Sequence, residues 1–132
     1  MKKIALISTF CDTFEKQELL RKNIIKIKDL STDIMVISPI KIPYDIIEMC
    51  DYFILVKENP ILPLDTRSQL LWKYPNSPHN IRHTLIYKDY GWASLYQIKK
   101  LLEISNNLDY DIFYLMIYDL KIDQEIEKIF ID

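Results

Sequence analysis

Apolar residues in this chain come in short runs, and stretches of helical spacing separate them. Lys3 to Phe10 is apolar until it reaches Ser8 and Thr9, and reads as a first strand. Asp12 and Glu15 have capping-box spacing, with Asp12 as the N-cap of a helix from about Phe14 to Asp29. Leu20, Ile24 and Ile27 mark its inner face, with Leu19 and Ile25 on the flanks. Arg21, Lys22, Lys26 and Lys28 form a solvated face, with a membrane-surface helix as the alternative. Asp33 to Ile40 reads as strand two, Pro43 as the first position of a short helix ending near Cys50, and Tyr52 to Lys57 as strand three.

The pattern then stops. Glu58 to Tyr90 has no clear period and contains Pro60, Pro63, Pro75 and Pro78; such long unpatterned segments in a compact domain usually carry function or are flexible. Helical spacing returns from Gly91 to Asn107, with Leu95, Ile98, Leu102 and Ser105 on one side and Asn106-Asn107 as the stop. Ile112 to Tyr118 is a continuous apolar run that ends on Asp119, which predicts a strand buried on both faces. Asp123 to Phe130 predicts a last short helix. The succession β-α-β-α-β with short connections predicts one α/β domain over residues 1–132. Its sheet is expected to be Rossmann-like, open and mainly parallel, with about four strands and flanking helices.

Composition sharpens this picture. A hydrophobic fraction of 49% in 132 residues supports one folded core, and a net charge of −2 gives no electrostatic reason to invoke nucleic acid. The single glycine, Gly91, excludes glycine-rich dinucleotide turns and P-loops. Met1 to Ile7 begins like a secretion signal, but Ser8-Thr9 breaks the run and Asp12 and Glu15 follow, so a strand fits better. No segment reaches the roughly 18 apolar residues that span a bilayer. Cys11 and Cys50 provide no disulfide framework and fit a cytoplasmic protein.

In open α/β sheets, ligands bind beyond the carboxyl ends of the strands. Three clusters are expected there: Ser8-Thr9-Phe10, Lys57-Glu58-Asn59 and Asp119. Ser8 and Thr9 suit a ribose or base, Phe10 suits stacking, and Asp119 suits a divalent cation beside phosphates, assisted by Asp123. An ordinary strand end is the alternative for the first cluster, and a helix N-cap for Asp119. Ser8, Thr9 and Thr13 faintly resemble a flavodoxin phosphate loop, but its glycine is missing and Asp12 opposes phosphate at a helix N-terminus. Asp109-Tyr110-Asp111 has metal-motif spacing but precedes strand four, so it reads as a strand entry at the amino edge. His79 and His83 have i,i+4 zinc spacing without a third ligand. Arg67 and Arg82 suit phosphate or solvent, and Trp72, Tyr74 and Tyr87 suit packing of the long segment or a cleft wall.

Three segments, Lys3 to Phe10, Cys50 to Pro60 and Lys88 to Leu95, together with the apolar strand closing on Tyr118-Asp119, resemble the first half of bacterial or viral polysaccharide glycosyltransferases of the GT-A fold. The resemblance implies a nucleotide-sugar donor, a glycan acceptor and a divalent metal, Mn2+ or Mg2+. It aligns Asp119 with the first carboxylate of the metal motif, with Lys121 in place of the second aspartate; the lysine suits direct pairing with diphosphate or marks a degenerate site. Ser8, Thr9, Phe10, Lys57 and Asn59 would form the nucleotide pocket and Gly91 and Trp92 its wall; no catalytic base is assigned. The family usually continues well past this motif, so the chain is expected to be a donor-binding half. A partner chain or a second copy would complete the acceptor site, with peripheral membrane contact as a further expectation. A non-catalytic nucleotide-binding or protein-interaction module is the alternative, followed by a structural domain in a larger assembly.

Overall fold

A computed structural model gives the structure of residues 1–56 and 90–131. Four strands form one sheet: β1 (Lys3–Ser8), β2 (Asp33–Ser38), β3 (Tyr52–Leu55) and β4 (Ile112–Ile117). Four helices accompany them: α1 (Phe14–Asp29), α2 (Tyr44–Met49), α3 (Tyr90–Ser105) and α4 (Gln124–Ile131). Every strand pairing is parallel and the order is β3-β2-β1-β4. This is the α/β, Rossmann-like open sheet expected from the spacing. The chain divides into two units, Met1–Glu58 with Gln97–Asp132, and Asn59–Tyr96. The sheet, α1, α2, α4 and the part of α3 from Gln97 onward belong to the first. Among the described residues no helix is long and apolar enough to cross a membrane.

Strand alternation splits the core in two. Ala5, Ile7, Ile34, Val36 and Met116 pack on one face against Leu20, Ile24 and Ile27 of α1, with Ile46 of α2 and Phe130 of α4. Ile4, Leu6, Met35 and Ile37 pack on the other face against Leu101 of α3. The inner face of α1 is therefore the one its spacing predicts, and it contains one polar residue, Asn23.

The local differences have physical causes. The α1 cap is Thr13, not Asp12: the Thr13 hydroxyl accepts the Lys16 N–H at 3.3 Å. Asp12 is instead drawn to the Lys16 ammonium at 2.8 Å. Beyond Leu30, Ser31 takes a left-handed φ of 54° and donates its N–H to the Lys28 carbonyl, which ends the helix without the usual glycine. Three of the five basic α1 side chains are committed to protein partners, Lys16 to Asp12, Arg21 to Glu18 and Asp45, and Lys26 to the Ile122 carbonyl.

β4 is not buried on both faces as its apolar run predicts. It is an edge strand, and Phe113, Leu115 and Ile117 are 41%, 49% and 57% exposed. The inner side of α3 is Gln97, Leu101 and Ser105, whereas Leu95 and Leu102 of the expected side are exposed.

Candidate functional site

The order β3-β2-β1-β4 reverses direction at β1: the chain moves from β1 outward to β2 and β3, then returns to the far side of β1 as β4. In open parallel sheets ligands bind beyond the carboxyl ends of the strands at such a reversal. In this sheet the helices that follow β1 and β4, α1 and α4, pack on the same face. It is therefore the adjacency of the two strand ends, and not a parting of the chain to opposite faces, that brings the segments together. Those ends lie side by side, with Ser8 in register with Ile117. The segments that follow them, residues 9–13 and 118–123, form the candidate site.

On the β1 side, Ser8 and Thr9 are nearly buried, and Phe10 is 41% exposed. Thr9 uses its polar groups on protein. Its hydroxyl donates to the Ile37 carbonyl at 2.7 Å, and its N–H points to the Ile37 carbonyl at 3.2 Å and to Oε1 of Gln97 at 3.1 Å. The Gln97 amide then donates from Nε2 to the Thr9 carbonyl at 2.9 Å. Gln97 thus supplies one donor and one acceptor to a single residue, as a neighbouring strand would. Phe10 carries the Lys16 ammonium 5.7 Å from its ring centroid, and that ammonium pairs with Asp12.

On the β4 side, Asp119 is exposed in the turn after the strand. It is not a helix cap; Asp123 has that role at α4, accepting the Ile126 N–H at 3.0 Å. The backbone on both sides of Asp119 is held by Asn23, whose amide donates to the Tyr118 carbonyl at 2.7 Å and to the Leu120 carbonyl at 2.8 Å.

Electrostatics tie the two sides together. The buried Cys11 thiol is pushed up to about 11, chiefly by burial; Lys16 pulls it back, and Asp119 and Asp12 push it further. Tyr118 is raised by burial and then by Asp119, with Lys16 opposing. Lys16 holds the Asp12 carboxyl below its ordinary range, and Asp12 raises Lys16 in return. Asp119, Lys16 and Asp12 therefore act on the same two groups, the buried Cys11 and the half-buried Tyr118. Both members of the Asp12–Lys16 pair are solvent-exposed, so the pair is screened and its energetic weight is small.

Among the described residues, no group of three or more His, Cys, Asp or Glu side chains is arranged to hold a metal. All three carboxylates are exposed, but Asp123 is occupied with its helix and Asp12 with Lys16, which leaves Asp119 as the one of the three without a hydrogen-bond or ion-pair partner among the described residues. That donor set fits a Mg2+-like ion carried in by ligand phosphates, which needs one or two carboxylates and keeps several waters. It does not fit a metal held by protein alone.

Asp109-Tyr110-Asp111 lies at the amino edge, as its position predicts: Asp111 accepts the Lys2 N–H at 2.8 Å and the Tyr110 hydroxyl donates to Asp33 at 2.5 Å. Gly91 and Trp92 lie in the first turn of α3. Lys57, Asn59, Arg67, Trp72, Tyr74, His79, Arg82, His83 and Tyr87 lie outside the described residues, as does the Trp92 side chain. The sequence reading missed Lys16 beside Phe10, and the two buried amides. Asn23 was detectable as a polar residue inside the apolar stripe Leu20, Ile24, Ile27. Gln97 gave no such signal, because its stripe shares few apolar positions.

Compared with known proteins, the chain matches no family model, no curated protein and no solved structure.

Proposed function

We propose that this chain binds the nucleotide portion of a nucleotide-sugar donor at the carboxyl edge, as part of a glycosyltransferase for surface polysaccharide or glycan synthesis. The supporting observation is that the strand-order reversal brings an exposed aromatic ring, Phe10, and an exposed carboxylate, Asp119, to the ends of neighbouring strands. In this reading Phe10 stacks on the base, the Ser8 hydroxyl meets the ribose, and Thr9 acts as scaffold. Asp119 would hold a divalent ion beside the diphosphate, and Lys16 or Lys121 would add positive charge there. Bound there, Mn2+ or Mg2+ would stabilise the charge of the departing diphosphate. An acceptor hydroxyl attacks the anomeric carbon while the bond to diphosphate oxygen breaks, and the nucleoside diphosphate leaves with the electron pair. The acceptor is a glycan, and a base from outside the residues assigned here would take the proton of its hydroxyl; in this reading a second copy or a partner chain completes the acceptor site.

A second reading, a non-catalytic nucleotide-binding or protein-interaction module, draws on the exposed apolar stripe Phe113, Leu115 and Ile117.

Thermal unfolding against UDP, GDP, CMP and dTDP, with and without Mn2+, separates them. A metal-dependent rise in Tm with one nucleotide, lost in Asp119→Ala, is the expected result. A rise that ignores both metal and Asp119 favours the binding module, and no rise with any nucleotide contradicts the donor site.

A further inference from the structure

Among the buried polar side chains of the described residues, the two carboxamides each make two hydrogen bonds to backbone far away in sequence. Asn23 of α1 and Gln97 of α3 are 6% and 7% exposed. They approach the carboxyl edge from opposite faces of the sheet, one with each core. Asn23 donates to the carbonyls of Tyr118 and Leu120, on either side of Asp119. Gln97 accepts from the N–H and donates to the carbonyl of Thr9, next to Phe10.

We propose that Asn23 and Gln97 are the positioning residues of this site, two buried amides that fix the backbone beside Asp119 and beside Phe10. This rests on the nucleotide-binding reading above. The physical reason is that a strand end loses its ladder partners, and its backbone polar groups then need others. Water would satisfy them equally well at an exposed turn, but it would leave the turn free to move. A carboxamide copies a peptide group, so it satisfies the same atoms while locking them to a helix. Neither amide touches ligand in this arrangement. Each acts by holding a neighbour in place before the ligand arrives, which reduces the ordering cost of binding.

The test uses the full chain and titrates UDP, GDP, CMP and dTDP in the presence of Mn2+. Gln97→Glu is the informative variant. A neutral carboxylic acid offers one donor and one acceptor, as the amide does, and burial favours that form at low pH. The ionised acid has no donor and faces the Thr9 carbonyl. The affinity of Gln97→Glu relative to wild type, compared at each pH, should be within about twofold at pH 5 and at least about tenfold weaker at pH 8. A side chain that merely fills space would give a ratio independent of pH. Gln97→Met, which keeps the volume and loses both bonds, should be weak at both pH values. Asn23→Leu should lower affinity by about tenfold, because two hydrogen bonds beside Asp119 disappear.

Wild type binding one nucleotide, with a flat ratio for Gln97→Glu or unchanged affinity in Asn23→Leu, overturns the positioning role and leaves the donor site standing. Wild type binding none of the four overturns both.

Discussion

At the amino end of the sheet, charged and polar groups are tied to other parts of the chain. Lys2 and Asp111 exchange two bonds of 2.8 Å, Tyr110 holds Asp33, and Asp51 accepts the Ile34 N–H at 2.8 Å. Lys3 adds a bond from its ammonium to the Phe130 carbonyl. At the carboxyl end, the groups that hold the loops, Asn23 and Gln97, are buried, while Phe10, Asp119 and the Asp12–Lys16 pair face solvent. The first end closes the fold. The second presents chemistry that the fold does not consume. Groups that stability does not require, held on backbone that is rigidly fixed, are what a binding site needs.

This contrast can be broken or sharpened by substitution. The largest effect belongs to neither end: Ile24→Ala in the α1 core should cost about 2–5 kcal/mol in urea unfolding. At the amino end, Asp51→Ala leaves the buried Ile34 N–H without its side-chain acceptor and should cost about 1–3 kcal/mol by the same measurement. Alkaline titration probes the two thiols, Cys11 buried and Cys50 half-buried. Burial pushes Cys11 up to about 11 and Cys50 up to about 12, so the folded state prefers their neutral forms. Their contribution to stability is complete below pH about 9 and is lost as pH rises through 11 to 12; unfolding followed from pH 8 to 12 should decline over that window. Asp119→Ala comes last, within about 0.5 kcal/mol of wild type, since an exposed carboxylate with no partner among the described residues contributes little. A large loss there would mean that Asp119 serves the fold, and the contrast between the ends would fail.

The strands, the α1 stripe and the parallel topology were legible in the chain, because burial on a parallel sheet demands continuous apolar runs and short crossovers demand helices between them. β4 was misread because an apolar run records hydrophobicity and not position: Phe113, Leu115 and Ile117 have the composition of a central strand on an edge. The α1 cap was misread because Asp12 and Thr13 are both good capping residues, and the Lys16 ammonium decides between them. Of the site, Phe10 and Asp119 were legible from their places after strands. Gln97 was not, since its partner Thr9 lies far away in sequence and no local pattern links them.

The most direct test of the contrast is an amide NMR titration of the full chain with UDP, GDP, CMP and dTDP in turn, each with Mg2+. The account predicts that one of them shifts residues 8–16 and 117–121 and leaves residues 51–52 and 109–111 unmoved. Shifts centred on the amino end, or none with any nucleotide, would contradict it.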